Sequence, residues 1–285
     1  MSRIDDTLIH TVFYIYPSED DARVGSEYGG TGFIIAISID GNSKLGFHYA
    51  VSNAHVIKGI NADLIFLRIN NVENKFDIIE TNKTDWICHP YGDDVAVCLI
   101  NINLERFHYS CFKREHFISH DFIQERNVGV GDDVVMIGRF RVYAGKRKNL
   151  PTAMFGHIAQ MPSEPLFNPF TKLEQESFLV EMKSIKGFSG SPVILYIQAF
   201  TNRFDSTNTA NTSWFQRLLG IDWGQIQYEV QAIDNYGQNT KLTIDSAITG
   251  VVPAWKILEL IDGEELKSER EKIENYYKIS QNKQE

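Results

Sequence analysis

Short apolar segments alternate with short polar ones along most of the chain. The apolar segments are rich in Val, Ile, Phe and Tyr and are bounded by Gly, Asn and Asp, which is typical of strands in all-β proteins. Almost no helical periodicity separates them, so the pattern predicts two six-stranded antiparallel β-barrels. Twelve strands are predicted, at 9–16, 30–39, 47–52, 63–69, 75–80, 94–100, 133–138, 153–159, 177–182, 191–197, 218–223 and 244–252.

Two stretches of the chain lack this strand pattern. Residues 103–129 separate the sixth predicted strand from the seventh, so we place the boundary between the two halves there. Residues 201–213 consist almost entirely of turn-forming types and predict an exposed, mobile loop. The predicted organisation is an N-terminal barrel, a C-terminal barrel and a terminal segment, at 1–118, 119–252 and 253–285.

The terminal segment changes to a helical pattern. Pro253 suits a first helical turn, and apolar residues at helical spacing follow it up to Ile261. Beyond this helix, residues 264–285 alternate acidic and basic side chains and place Leu266 and Ile273 seven positions apart. Two interpretations of that stretch stay open, an amphipathic interaction helix and a frayed, solvated tail.

Composition and charge narrow the class of protein. With 43% hydrophobic and 23% charged residues in a chain of 285, the sequence is that of a folded globular protein. Subtracting 37 acidic from 28 basic residues gives a net charge of −9, which argues against nucleic acid as the main partner. One basic cluster is expected to be a solvated loop; it consists of Arg139, Arg141, Lys146, Arg147 and Lys148.

The cysteines and the amino terminus indicate the cellular compartment in which the protein is expected. Cys88, Cys98 and Cys111 are an odd number, and none forms the Cys-x-x-Cys pair of a zinc or redox site. The first residues carry acids around a short apolar run, unlike a secretory signal, and no stretch reaches the roughly 18 apolar residues of a membrane span. We therefore expect a soluble cytoplasmic protein without disulfides, metal or cofactor.

A histidine and an acid each lie at the end of a predicted strand. His55 follows strand 47–52, and the pair Asp93 and Asp94 comes at the start of strand 94–100. A carboxylate at the start of a buried strand can fix the tautomer of an imidazole and stabilise its protonated form. Taken alone, each feature also fits an ordinary role, since the chain has eight histidines and Asp-Asp is common turn chemistry.

A glycine-flanked serine is the third candidate for chemistry. Gly187 and Gly190 allow a tight turn around Ser189, and the backbone N–H groups of Gly187 and Ser189 could then point to one oxyanion. A plain Gly/Ser hairpin turn is the alternative for this motif alone. The three candidates occur in the order His, Asp, Ser, with separations of 39 and 95 residues, which is the chain order of two-barrel acyl-transfer triads.

These motifs resemble those of the chymotrypsin-like (trypsin-like) serine proteases, in particular the bacterial trypsin-like peptidase domain also found in heat-shock serine proteases. The resemblance covers roughly residues 10 to 260. The motifs that carry it are Gly30-Thr31-Gly32-Phe33, Ser52-Asn53-Ala54-His55-Val56, Asp94-Val95-Ala96-Val97 and Gly187-Phe188-Ser189-Gly190-Ser191-Pro192. Weaker ones are 128–138, Gly220-Ile221-Asp222-Trp223-Gly224 and Gly250-Val251-Val252-Pro253.

The resemblance implies a chymotrypsin-like fold and a role for each motif. Ser189 would attack the scissile carbonyl, His55 would act as general base and then acid, and Asp94 would orient His55. Asp94 is preferred to Asp93 because it directly precedes the Val-Ala-Val strand. The amides of Gly187 and Ser189 would form the oxyanion hole.

Further residues follow from the same resemblance. The strand of Asp222, Trp223 and Gly224 would pair with the substrate backbone. Lys183, six positions before the serine, would lie near the base of the specificity pocket and suit an acidic side chain. Phe188 stands where members activated by clipping carry an acid, so that route of activation is not predicted.

Two functions are therefore weighed. The first is a cytoplasmic serine endopeptidase acting on protein or peptide substrates and regulated by a protein partner. The alternative is a catalytically silent protease-fold module that binds a protein partner, through 264–285 for example. An esterase would use the same three side chains but usually on an α/β sheet, which this strand pattern does not predict.

Overall fold

The structure is a computed structural model that describes residues 4–26, 29–39, 42–182, 186–197, 215–233 and 239–281. Within those ranges the side chains of 39, 42–45, 197, 215 and 277–281 are not described. Lys183 and the predicted loop 201–213 lie outside the described residues. In the described part of the chain, no helix combines the length and apolar character needed to cross a membrane.

The first half of the chain forms an eight-stranded sheet. Its strands are β1 (Val12–Tyr16), β2 (Thr31–Ile39), β3 (Asn42–Ser52), β4 (Leu64–Asn70), β5 (Phe76–Asn82), β6 (Ile87–Cys88), β7 (Ala96–Ile100) and β8 (Phe112–Lys113). They follow the order β5-β4-β1-β2-β3-β7-β6, with β8 parallel to β2 and every other pair antiparallel.

The first sheet is curled but open, so the predicted closed six-stranded barrel is not confirmed for this half. In the described residues, β5 and β6 are the two edges and do not pair with each other. The physical reason lies in these edge strands. β6 has only two residues, and β5 has mostly half-exposed side chains. Neither edge therefore has the buried apolar face that pairing with another strand, and closure of the sheet, would require.

The second half contains a closed, six-stranded antiparallel barrel, as predicted. Its strands pair in the order β10-β13-β16-β15-β14-β9. Their bounds are β9 (Asp133–Gly138), β10 (Thr152–Gln160), β13 (Phe178–Glu181), β14 (Pro192–Ile197), β15 (Phe215–Ile233) and β16 (Asn239–Pro253).

Strands β15 and β16 are much longer than predicted, because they continue past the barrel as a two-stranded ribbon. Tyr228 on β15 pairs with Ile244 on β16 in this ribbon, and both are exposed. The predicted bounds 218–223 correspond to the buried part of β15, whereas 244–252 begins in the exposed ribbon and reaches the buried part of β16 only at Thr249. Polar residues such as Gln227 and Glu229 interrupt the apolar pattern beyond it.

A small hairpin, which the strand pattern did not predict, interrupts the barrel between β10 and β13. It consists of β11 (Leu166–Asn168) and β12 (Leu173–Gln175), which pair with each other and with no further strand in the described residues. Its sequence carries the turn signal Asn168-Pro169 but too few apolar residues for a recognisable strand. This hairpin is central to the candidate site described below.

The helices are short except at the carboxyl end of the chain. They are α1 (Glu19–Val24), α2 (Ala54–Gly59), α3 (His120–Glu125), α4 (Ala254–Ile261) and α5 (Glu264–Gln281), with 3-10 turns at Asp6–Thr11, Lys83–Asp85, Arg114–His116 and Arg141–Tyr143. Helix α4 begins directly after Pro253, as predicted. Helix α5 buries Leu266, and Arg270 on it donates a hydrogen bond of 3.1 Å to the hydroxyl of Tyr49 on β3. A frayed tail is therefore wrong for the described part of 264–285.

One apolar cluster runs through both halves of the molecule. It joins side chains of the first sheet, such as Phe33, to the barrel interior, to α4 and to Leu266. Arg139, predicted to lie in a solvated loop, is instead fully buried, with its guanidinium 4.5 Å from the centre of the Tyr16 ring. Burial lowers the pKa of Arg139, and the aromatic face offsets part of that cost. The solvated-loop prediction is thus wrong for this residue.

The three cysteines are free thiols, and burial raises the pKa of each, that of Cys98 to about 12. Because the thiolate is the reactive form, we expect slow reaction with a disulfide reagent at mildly alkaline pH in the folded chain. After unfolding without reductant, all three should react. A count below three in the unfolded, unreduced chain would show a disulfide and contradict the structure.

Candidate functional site

His55 is placed at the junction of β3 and α2. Its own backbone N–H donates to Oδ1 of Asp94 at 2.8 Å, and its ring atom Nδ1 lies 2.6 Å from Oδ2 of the same carboxylate. Asn53, the residue before α2, donates from Nδ2 to the carbonyl of Asp94 at 2.8 Å. An ionised carboxylate can only accept, so it fixes the proton on Nδ1 and leaves Nε2 as the acceptor. The imidazole is thus held in the tautomer that a general base requires.

Asp94 is fully buried, and its remaining partners come from the β11–β12 hairpin of the other half. Asn168 donates from Nδ2 to Oδ2 of Asp94 at 3.3 Å, and the backbone N–H of Asp94 donates to Oε1 of Gln175 at 2.9 Å. Both hairpin side chains are buried. Asn168 therefore donates to the carboxylate oxygen that lies against His55, while Gln175 holds the backbone of Asp94 in place.

The neighbouring acid, Asp93, has different partners. Its carboxylate lies 3.0 Å from Nδ1 of the buried His89 and 3.8 Å from Nζ of Lys256 on α4. The two adjacent acids thus contact different histidines, and Asp94 is the one beside His55. Burial lowers the pKa of Lys256, but the hydrogen bond that its Nζ donates to Glu259 and the charge of Asp93 outweigh burial and raise that pKa overall.

The serine loop is a tight turn built on two glycines with positive φ. Gly187 has φ +111° and Gly190 has φ +89°, and the N–H of Ser191 closes the turn on the carbonyl of Phe188 at 2.8 Å. Phe188 is fully buried and anchors the turn in the core. Only glycine adopts these φ values without strain, so the sequence Gly-Phe-Ser-Gly fixes the place of Ser189.

Hydrogen bonds join this loop to strand β2 of the first sheet. The N–H of Thr31 donates to the carbonyl of Ser189 at 3.0 Å, and its hydroxyl donates to the carbonyl of Gly187 at 2.8 Å. Gly30 fits between Val56 and Ser189, because a Cβ there would lie 2.9 Å from the Val56 side chain and 3.0 Å from the Ser189 carbonyl. Ser189 of one half and Val56 of the other therefore both lie against Gly30, close to each other.

The candidate oxyanion hole is formed by backbone groups that are not otherwise engaged. Within the described ranges, the N–H groups of Gly187 and Ser189 donate to no acceptor. No hydrogen bond joins Ser189 Oγ to His55 Nε2 either, among the residues that the structure describes. Contacts between a nucleophile and its base are often long in unliganded enzymes and tighten when substrate binds.

Of the three residues predicted to pair with substrate, Asp222 is already used by the serine loop. Its carbonyl accepts from the N–H of Gly190 at 2.9 Å, and its N–H donates to the carbonyl of Ser191 at 2.9 Å. Its buried carboxylate accepts a hydrogen bond from the hydroxyl of Thr249. Asp222 thus holds the loop in place from behind.

Trp223 and Gly224 continue the same strand beyond that point. Strand β14 pairs with β15 only as far as Ile221, and no described strand covers the edge of β15 beyond it. The indole of Trp223 is buried and donates from Nε1 to the hydroxyl of Ser177 at 3.2 Å. An extended peptide could therefore pair with β15 from Trp223 onward.

Phe170, at the tip of the β11–β12 hairpin, covers the ring of His55. The two rings are stacked, with centroids 4.4 Å apart and planes at 15°. The Phe170 ring also contacts Trp223 edge-on, with centroids 6.4 Å apart. Asn168 fixes the tip of the hairpin, since its Oδ1 accepts from the backbone N–H of Phe170 at 2.8 Å.

The hairpin residues around Asp94 and His55 were not identified from the sequence. The signal available for them was the turn dipeptide Asn168-Pro169 followed by an aromatic residue. That signal predicts a loop, but nothing in its spacing to residues 55 or 94 shows that the loop faces them. Asn168, Phe170 and Gln175 reach His55 and Asp94 from a distant part of the chain, so no continuous motif marks them.

The sequence matches no protein-family model, and a search of curated proteins also found no match. Among solved structures, the chain is similar to the inactive form of the Rv3671c protease, at 19% identity and a TM-score of 0.46 over 90% of this chain and 89% of that one. It is also similar to a Ser-to-Ala mutant of Rv3671c from M. tuberculosis H37Rv in its inactive form, at 17% identity and a TM-score of 0.45 over 92% and 94%. Likeness at this level carries no argument about function.

Proposed function

We propose that the protein is a serine endopeptidase that hydrolyses peptide bonds through an acyl-enzyme. The observation that supports this most is the double contact of Asp94 with His55. The Asp94 carboxylate accepts from the backbone N–H of His55 and lies against its Nδ1. It leaves Nε2 as the acceptor nitrogen, and Ser189 lies on the loop that packs beside Val56 at Gly30. A buried carboxylate, an oriented imidazole and a glycine-flanked serine with unengaged N–H groups are what acyl transfer requires.

The first half of the proposed reaction forms the acyl-enzyme. His55 Nε2 takes the proton of Ser189 Oγ as the oxygen bonds to the scissile carbonyl carbon. The carbonyl oxygen becomes an oxyanion and accepts from the N–H groups of Gly187 and Ser189. The protonated imidazole, stabilised by Asp94, then gives its proton to the leaving amine as the C–N bond breaks.

The second half releases the product. Water enters after the amine leaves, and His55 Nε2 takes one of its protons as the water oxygen bonds to the acyl carbon. The second tetrahedral intermediate collapses with return of the proton to Ser189 Oγ, which frees the carboxylic acid. Every proton in the cycle is held by the same imidazole nitrogen, which is why its tautomer matters.

Labelling with a fluorophosphonate probe tests the proposal. We expect the folded wild type to be labelled and Ser189→Ala to be unlabelled, because the probe reacts only with an activated serine. Ser191→Ala is the matched control, since it removes the other hydroxyl of the same turn, and that hydroxyl is buried with no hydrogen-bond partner among the described residues. Labelling of Ser191→Ala should equal that of the wild type.

Two outcomes would count against the proposal. Labelling that survives Ser189→Ala would refute the nucleophile assignment. A folded wild type that takes up no probe would favour the alternative, a silent module that binds a protein partner. The cytoplasmic location, the regulatory partner and the acidic preference attributed to Lys183 stay predictions of the sequence.

A further inference from the structure

The β11–β12 hairpin places an aromatic ring where a bound peptide would have to pass. A peptide that pairs with β15 at Trp223 and Gly224 and presents a carbonyl to Ser189 runs between that strand and His55. The side chain of the second residue before the cleaved bond then faces the imidazole, since the residue next to the bond directs its side chain to the opposite side.

Phe170 occupies this corner and contacts three of the residues around it. Its ring stacks on His55 at 4.4 Å, meets Trp223 edge-on and lies next to Gly224, where a Cβ would be 3.1 Å from Cε2 of the phenylalanine. The absence of a side chain at Gly224, with φ +139°, is what lets the ring fit. The aromatic contacts on both walls favour the ring where it is.

The ring is positioned by the structure around it as well. Its backbone N–H is bound by Asn168, whose amide also reaches Asp94, so the hairpin tip is tied to the buried carboxylate beside His55. Phe170 is nonetheless 50% exposed, which places it at the surface of the cleft, outside the hydrophobic core. The ring is therefore accessible to a molecule that binds in this corner.

We propose that Phe170 is a specificity-determining residue that fills the subsite over His55, so that the substrate must carry glycine or alanine at the second position before the cleaved bond. This inference rests on the proposed function of the same site. Leucine or a larger residue at that position would have to displace the ring from His55 and from Trp223. The substrate is therefore a polypeptide with a small residue at the second position before the cleaved bond.

A proteome-derived peptide library, digested with the full chain and read by mass spectrometry, tests this without knowing the preference at the cleaved residue. We expect glycine and alanine to exceed leucine and phenylalanine at the second position by about tenfold to a hundredfold, the range that pocket contacts of this size give. Phe170→Ala should reduce that ratio to about threefold or less. Phe167→Ala, an exposed residue on the same hairpin, is the matched control and should keep the wild-type ratio.

The possible outcomes separate the two proposals. Equal use of large and small residues by the wild type, or a ratio that Phe170→Ala leaves unchanged, would overturn the subsite. If the wild type is labelled by fluorophosphonate but cuts no peptide, cleavage that appears in Phe170→Ala supports the inference, and none in either chain overturns it. Failure of the labelling itself would refute the protease proposal and, with it, the subsite that rests on that proposal.

Discussion

Asp94→Asn is expected to lower kcat/KM for peptide hydrolysis by about 10⁴-fold, the loss typical of replacing a triad carboxylate by its amide. Both oxygens of Asp94 accept from His55, one from the backbone N–H and one from Nδ1. An amide offers only one acceptor. If its NH₂ faces Nδ1, the ring must take the other tautomer, with its proton on Nε2, and can no longer accept the serine proton.

Asp93→Asn is the matched control for this prediction. The change is chemically identical and lies one residue away, but Asp93 contacts His89 and Lys256 on the far side of the strand start. We expect its kcat/KM to stay within about threefold of wild type. Thermal unfolding of both variants measures any loss of stability separately from activity. Similar losses of activity in the two variants would contradict the assignment of Asp94.

Gly190→Ala is expected to destabilise the fold by about 3–5 kcal/mol and to abolish labelling of Ser189. Two costs add up. The residue has φ +89°, which strains any side chain. Its new Cβ would lie 2.0 Å from the carbonyl oxygen of Thr31 and 2.5 Å from Oγ of Ser52, and the first of these is backbone that cannot move without disturbing β2. The serine loop would be pushed off the first sheet.

Gly131→Ala separates the two costs. Its φ of +94° is nearly the same, but no atom in the described part of the chain lies within 4 Å of the added Cβ. This variant should lose only the backbone contribution, about 1 kcal/mol, and should be labelled like the wild type. Chemical denaturation gives both free energies of unfolding. Equal destabilisation of the two variants would show that the contact with Thr31 is not as close as the structure has it.

The fold was predictable where each strand carries its own pattern. All twelve predicted segments contain strands, because alternation of branched and aromatic residues is decided locally. The closure of the first sheet was not predictable in this way. Whether β5 and β6 meet depends on the geometry of the whole sheet, and β6 and β8, at two residues each, are too short to leave a periodic signal.

The residues of the candidate site likewise fall into those that a local motif marks and those that only the folded chain brings together. His55, Asp94, Gly187 and Ser189 lie on continuous motifs whose chemistry could be recognised, although the choice between the two adjacent acids needed a reason beyond composition. Asn168 and Gln175 are ordinary polar residues in sequence and acquire a role only because the hairpin folds back onto Asp94. Asp222 was expected to face substrate, and its backbone instead holds the serine loop.

The terminal helix has a mechanical consequence. Helix α5 leaves the barrel half and binds back onto the first sheet through Arg270 and Tyr49, while the shared apolar cluster joins the two halves at the cleft. The chain therefore crosses between the halves twice, once through residues 103–129 and once through α5. A single cut within residues 103–129 would give two fragments that helix α5 still holds together. The cut protein would therefore remain one particle with both halves in place.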